Sequence, residues 1–135
     1  MVRLVLDTNV FVSALMSTSG PPARLLDAWY EGAFEIVVSE ALLDEAARVL
    51  GRGKFSGVER DAALVLDDLR QRGAHVSDPP PGAALLDDPA DEFLVQLALA
   101  ADADALVSGD AHLTALPPSV CPVLTPREAV ELLEL

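Results

Sequence analysis

Leu4-Val5-Leu6-Asp7-Thr8-Asn9-Val10-Phe11-Val12 decides the reading of this chain. Residues 2–6 form a short, nearly continuous apolar run, the pattern of a strand buried on both faces. The run stops at Asp7-Thr8-Asn9, three residues that favour turns and helix N-caps, and a second apolar segment follows over 10–15. An Asp at the C-terminal end of a buried parallel strand lies where open α/β sheets place their ligands. The same residue type in the same place also serves as an ordinary cap for the next helix.

Outward from that stretch, apolar runs and helical periodicities alternate. A Ser/Thr/Gly/Pro loop over 17–22 leads into a helix over 23–30, with Pro21 and Pro22 at its start and Gly32 as its stop. Residues 34–38 read as a second buried strand, and Ser39 as the N-cap of a helix to about Leu50. A loop over 51–57 carries Arg52 and Lys54, which with Arg48 make the densest positive cluster of the chain. Residues 58–72 are helical with Ala62, Val65, Leu66 and Leu69 on one face, Gly73 ends them, and 74–77 suit a third strand. Asp78-Pro79-Pro80-Pro81-Gly82 is a rigid connector, too short for a domain linker. A helix over 90–101, a strand over 105–108 ending in Gly109-Asp110, a break at Pro117 and Pro118, a strand over 120–124 and a helix opened by Thr125-Pro126-Arg127-Glu128 complete the pattern. The alternation predicts an α/β fold, a single domain over 1–135 with a mainly parallel sheet of about five strands flanked by helices.

Composition narrows the function. The 135 residues are 51% hydrophobic but only 4% aromatic, so the core is aliphatic and alanine-rich. Asp and Glu number 22 against 9 Lys plus Arg, a formal charge of -13. That balance argues against a general binder of phosphate backbones and suits a protein that gathers cations or meets a basic partner. The single Cys121 leaves no intramolecular disulfide, and no apolar run approaches a membrane span. With the strand beginning directly after Met1, these features predict a soluble cytoplasmic protein without a signal peptide.

Four acidic positions recur at equivalent places. Asp7 ends the first strand, Glu45 lies in the second turn of the helix after the second, Asp91 starts the helix before the fourth, and Asp110 ends the fourth. If the strands run parallel, all four converge on one side of the sheet. Clustered carboxylates raise one another's pKa and are costly without a cation, so the set implies a hard divalent metal and chemistry on phosphates or on activated water. Each position also has a structural role open to it: Asp91 as a first-turn residue favoured by the helix dipole, Glu45 as a solvated helix position. Asp87, Asp88, Glu92, Glu40 and Asp44 read as solvent-facing or supporting charges.

Taken together, Leu6-Asp7-Thr8-Asn9-Val10, Glu45-Ala46-Ala47-Arg48-Val49-Leu50, Asp88-Pro89-Ala90-Asp91-Glu92-Phe93-Leu94 and Val107-Ser108-Gly109-Asp110-Ala111-His112-Leu113 resemble the PIN domain, and within it the toxin components related to VapC. The resemblance spans essentially the whole chain and rests on four short motifs in the right order. It implies a dimeric, Mg²⁺- or Mn²⁺-dependent endoribonuclease, the toxin of a toxin–antitoxin pair, with RNA as substrate and a cognate antitoxin as partner. Carried over by position, Asp7, Glu45, Asp91 and Asp110 match the catalytic and metal-holding acids, and Asn9 and Ser108 the polar residues that support the first and last. His112 departs from the pattern, standing where many relatives carry another acid, and the short segment between Asp88 and Asp91 leaves both as matches, with helix phase favouring Asp91.

Arg48, Arg52 and Lys54 are candidates for RNA phosphate contacts, a solvated basic loop being the plain alternative. No Ser–His–acid arrangement surrounds Ser13 or Ser108, and Cys121 falls inside an expected strand. A receiver domain would need an acidic pair and a late Lys, where this chain has Thr8-Asn9 and no Lys after Lys54. A haloacid-dehalogenase-like phosphatase would need Asp in place of Asn9, and the Gly-rich turn of dinucleotide binders is missing. The remaining alternative is a catalytically weak or inactive module of the same fold that binds an antitoxin or RNA.

Overall fold

A computed structural model describes residues 1–51, 61–80 and 86–135. Its elements are β1 (Arg3–Leu6), α1 (Thr8–Met16), α2 (Pro21–Tyr30), β2 (Glu35–Val38), α3 (Glu40–Leu50), α4 (Ala62–Arg72), β3 (Ala74–His75), α5 (Pro89–Ala100), β4 (Ala105–Val107), α6 (Ala111–Thr114), β5 (Val123–Leu124) and α7 (Pro126–Leu132). The strands form one sheet in the order β3-β2-β1-β4-β5, every neighbouring pair parallel.

β1 is central because its side chains suit burial from both sides. Leu4 and Val5 are fully buried and Leu6 nearly so, each contributing about 1.5–3 kcal/mol of apolar burial. Leu4 pairs with Ile36 on β2 and with Ala105 on β4, and Leu6 pairs with Val107. The chain first builds outward from β1 to β2 and β3, then returns to the other side of β1 for β4 and β5. The boundary between β1 and β4 is therefore the switch point of the sheet, where open α/β folds leave a crevice at the strands' carboxyl ends. The ladder continues one bond past β1, with the Asp7 N–H donating to the Val107 carbonyl at 2.9 Å. Sheet pairing thus delivers Asp7 to the edge of that crevice. α5 packs on β1 and β4, α4 on β2, and α1, α2 and α7 pack together.

Most expected elements appear with small shifts. The first helix starts at Thr8, because the Asp7 side chain accepts from the Asn9 N–H and so sets the cap earlier than the apolar segment. Asp61 caps α4 at Ala62, and the expected helical residues 58–60 lie outside the described residues. The same holds for Arg52, Lys54 and most of the 51–57 loop, and for Pro81 and Gly82. Gly73 ends α4 at a close approach, since a Cβ there would lie 2.7 Å from a Val38 methyl and 2.5 Å from the Leu69 carbonyl oxygen.

The expected strands over 74–77 and 120–124 are each two residues long. In the second case Pro122 has no N–H for the ladder and the Val120 N–H turns back to the Pro117 carbonyl, so pairing is limited to Val123 and Leu124. Cys121 is buried as expected, but in the turn before β5. The one-turn helix α6, absent from the sequence pattern, follows directly on Asp110.

Candidate functional site

The carboxyl ends of β1 and β4 open on a cleft of about 430 Å³. Asp7, Asn9, Glu45, Asp88, Asp91 and Asp110 line it, so the four acids expected to converge do so. The strand order makes this possible: Asp7 follows β1, Asp110 follows β4, and α3 and α5 bring Glu45 and Asp91 to the same crevice.

Asp7 is buried to 9% exposure and held by two donors. Ser108, fully buried, donates from Oγ to Asp7 Oδ2 at 2.9 Å, and the Asn9 N–H donates to Oδ1 at 3.3 Å. The Ser108 hydroxyl also accepts from the Asp110 N–H at 3.0 Å. One buried hydroxyl therefore ties the first strand end to the loop after the fourth. Asn9 supports Asp7 through its main-chain N–H, while its exposed side chain lines the cleft. Asp110 caps α6 by accepting from the His112 N–H at 2.8 Å.

Asp88 and Asp91 divide the start of α5 between them. Asp88 is the N-cap, accepting from the Ala90 N–H at 2.8 Å, and Asp91 sits in the first turn. Both line the cleft, so the solvent-facing role expected of Asp88 is incomplete: exposed as it is, it also faces the acids. Burial pushes the Asp91 carboxyl above its ordinary range, helped by the negative charges of Asp88, Asp110 and Asp7 and opposed by His112. An adjoining recess of about 350 Å³ is bordered by Asp88, Asp91, Asp110 and the exposed His112.

Glu45 is half-buried, and its Oε2 accepts from both Nε and Nη2 of Arg48 one turn further along α3. Arg48 is thus engaged with a cleft carboxylate. The N-terminus of α3 is held twice, by Ser39 Oγ accepting from the Leu42 N–H and by Asp78, which accepts from the Ala41 N–H at 3.2 Å. Asp78 had no signal in the sequence beyond opening a proline-rich connector, because its partner lies 37 residues away.

The donor set is entirely oxygen at the cleft itself, as hard divalent cations require. Among the described residues no group of three or more His, Cys, Asp or Glu stands close enough to grip an ion without rearrangement. The oxygen donors fit an ion that keeps several waters and takes one or two carboxylates directly, and not an all-protein cage.

A parallel α/β sheet with a carboxylate-lined crevice at its switch point defines the class of this protein. A family model described as the PIN domain matches residues 3–112, and the chain belongs to that family. In fold it is similar to VapBC2 from Rickettsia felis, crystallised bound to a DNA fragment from their promoter, with a TM-score of 0.62 and 16% identity over 91% of this chain and 98% of that one. It is similar also to PAE2754 from Pyrobaculum aerophilum, with a TM-score of 0.63 and 18% identity over 99% of this chain and 90% of that one. No curated protein matches it.

Proposed function

We propose that the protein is a Mg²⁺- or Mn²⁺-dependent endoribonuclease of the VapC kind, the toxin of a toxin–antitoxin pair, with residues 1–135 acting as one PIN domain. The observation that carries this reading is the convergence of Asp7, Glu45, Asp91 and Asp110 on one cleft at the carboxyl ends of a parallel sheet. Family membership and the likeness in fold to a VapBC protein support it. Asp7, Asp91 and Asp110, with Glu45 directly or through water, are the residues to hold the ion. Bound there, the ion supplies Lewis acidity toward the phosphodiester and a more acidic water.

The chain's own residues do the rest. Ser108 keeps Asp7 aimed by donating to one oxygen, which holds that carboxylate in place without rearrangement. Asn9 lines the cleft where a ribose or phosphate oxygen would pass. Arg48, with Arg52 and Lys54 close after it in the sequence, supplies contacts to RNA phosphates on a molecule whose formal charge is -13. A basic segment of an antitoxin complements the remaining acidic surface, and the active form is a cytoplasmic homodimer.

A second reading, a PIN-fold module that binds antitoxin or RNA without cleaving, is favoured by one observation: the cleft acids are not gathered as a ready three-ligand group. The Asp7→Asn substitution separates the two. A ribonuclease loses Mg²⁺- and Mn²⁺-dependent cleavage of a broad RNA pool, and its toxicity on expression, while the fold and antitoxin binding persist. Native protein that cleaves no RNA with either ion yet binds an antitoxin supports the module.

A further inference from the structure

The cleft acids are held in different ways. Asp7 and Asp110 accept from N–H and O–H groups close by, whereas Glu45 is held by a cation. Among the described residues there is one other pairing of an Arg or Lys with an acid, Arg3 with Glu35, at the starts of β1 and β2 and so at the opposite end of the sheet. Among the described residues, Arg48 is thus the Arg or Lys paired with a cleft acid. Both of its contacts fall on the same Glu45 oxygen, and Val49, the next residue, lines the cleft wall, which sets the Arg48 backbone at the rim.

We propose that Arg48 is an internal counter-ion for Glu45, competing with a divalent cation for that carboxylate and released to the rim when the cation engages it. This rests on the metal-dependent reading above. A guanidinium and a metal ion draw on the same oxygen lone pairs, and an ion at Glu45 repels a guanidinium left in place. The pair is suited to exchange: the two side chains are 58% and 42% exposed, so water solvates each partner when they separate and the pair itself is weak. Three-residue spacing on one helix keeps the released side chain beside the site, where it meets an RNA phosphate. Arg48 is therefore a positioning residue for Glu45 before the ion binds and a phosphate donor afterwards.

The test is Mn²⁺ binding, read by electron paramagnetic resonance of the free ion, on the native chain and on Arg48→Ala, Glu45→Gln and the double variant. Competition predicts that Arg48→Ala tightens Mn²⁺ binding by roughly two- to fivefold, the scale of an exposed ion pair. It also predicts that this gain vanishes in the Glu45→Gln background. Unchanged or weaker binding in Arg48→Ala overturns the proposal. So does an equal gain with Glu45→Gln present, since the effect is then the general field of one removed charge. Asp7→Asn distinguishes the underlying reading: if it leaves Mn²⁺ binding unchanged, the metal site itself is misassigned and both fall. If Asp7→Asn loses the ion while Arg48→Ala changes nothing, only the exchange is lost.

Discussion

Ser108→Ala removes one oxygen atom and should cost far more than its size. The hydroxyl is wholly buried, donates to Asp7 Oδ2 at 2.9 Å and accepts from the Asp110 N–H at 3.0 Å. Its loss leaves a carboxylate oxygen and a main-chain N–H without those partners. An unmet buried partner costs about 1–3 kcal/mol, with charged groups at the upper end. Asp7 retains 9% exposure and some access to water, so the sum is placed at about 2–3 kcal/mol. For a chain of 135 residues that corresponds to a fall in Tm of roughly 6–15 °C. Urea unfolding in EDTA measures the loss without a contribution from metal. Repeating it in an Asp7→Asn background should shrink the effect by about 1 kcal/mol, because the hydroxyl then faces a neutral amide in place of a carboxylate. A Ser108→Ala protein within about 0.5 kcal/mol of the native one refutes the claim that this hydroxyl joins the two strand ends.

Asp91 should oppose folding at neutral pH. Because its folded pKa is raised above the ordinary value of 3.8, the native state holds that proton more tightly than the unfolded chain, and the associated stability, present at low pH, is lost as pH rises through the folded value. Asp91→Asn should therefore melt above the native protein at pH 7 in EDTA, with the gain fading as pH falls toward 3.8; an Asn variant that melts lower at pH 7 contradicts this. Mg²⁺ should stabilise the native protein by mass action, by about 2.7 kcal/mol at a concentration about 100 times its dissociation constant, seen as a higher Tm, and should not do so in Asp7→Asn. Asp78→Ala should cost about 0.5–1 kcal/mol by removing one of the two caps of α3, measurable in urea and absent if solvent replaces the carboxylate.

Much of the fold was legible because parallel strands buried on both faces leave continuous apolar runs. β1, β2 and β4 are such runs, and each is buried along nearly its whole length. The helices announced themselves by their caps, Ser39 before α3 and the Thr125–Glu128 capping box before α7. What failed lay at the resolution of a single turn or a single hydrogen bond. α6 has one turn and no periodicity to detect, and β5 is cut to two residues by the absence of one N–H on Pro122. The candidate acids were visible one by one, but their meeting depends on β1 lying between β2 and β4, a fact of strand order that no local pattern carries. Asp88 reads in the sequence as a solvent-facing or supporting charge, with helix phase favouring Asp91, whereas both line the cleft.

The way these acids are built into the fold also alters the case for a cation. Four close carboxylates are expected to be costly without a cation, and part of that cost is met within the fold: Asp7 and Asp110 each cap the helix that follows them, Asp88 caps α5, and Asp91 sits in its first turn. The main-chain N–H groups of those helix starts carry partial positive charge, which offsets part of the carboxylate repulsion. Asp7 therefore has a duty within the fold, as an N-cap, besides its proposed one toward an ion. A consequence separates the two duties of Asp7. Asparagine is as good an N-cap as aspartate, so Asp7→Asn keeps the acceptor for the Asn9 N–H while losing the charge. Alanine loses both, and also strands the Ser108 hydroxyl. Asp7→Ala should thus be less stable than Asp7→Asn by about 2–4 kcal/mol, the sum of a lost cap and an unmet buried donor. Both should be equally inactive and equally unable to take up Mn²⁺. If the two variants unfold at the same urea concentration, the cap contributes nothing and the carboxylate serves the cleft alone; if Asp7→Asn retains cleavage, the charge was never the working part.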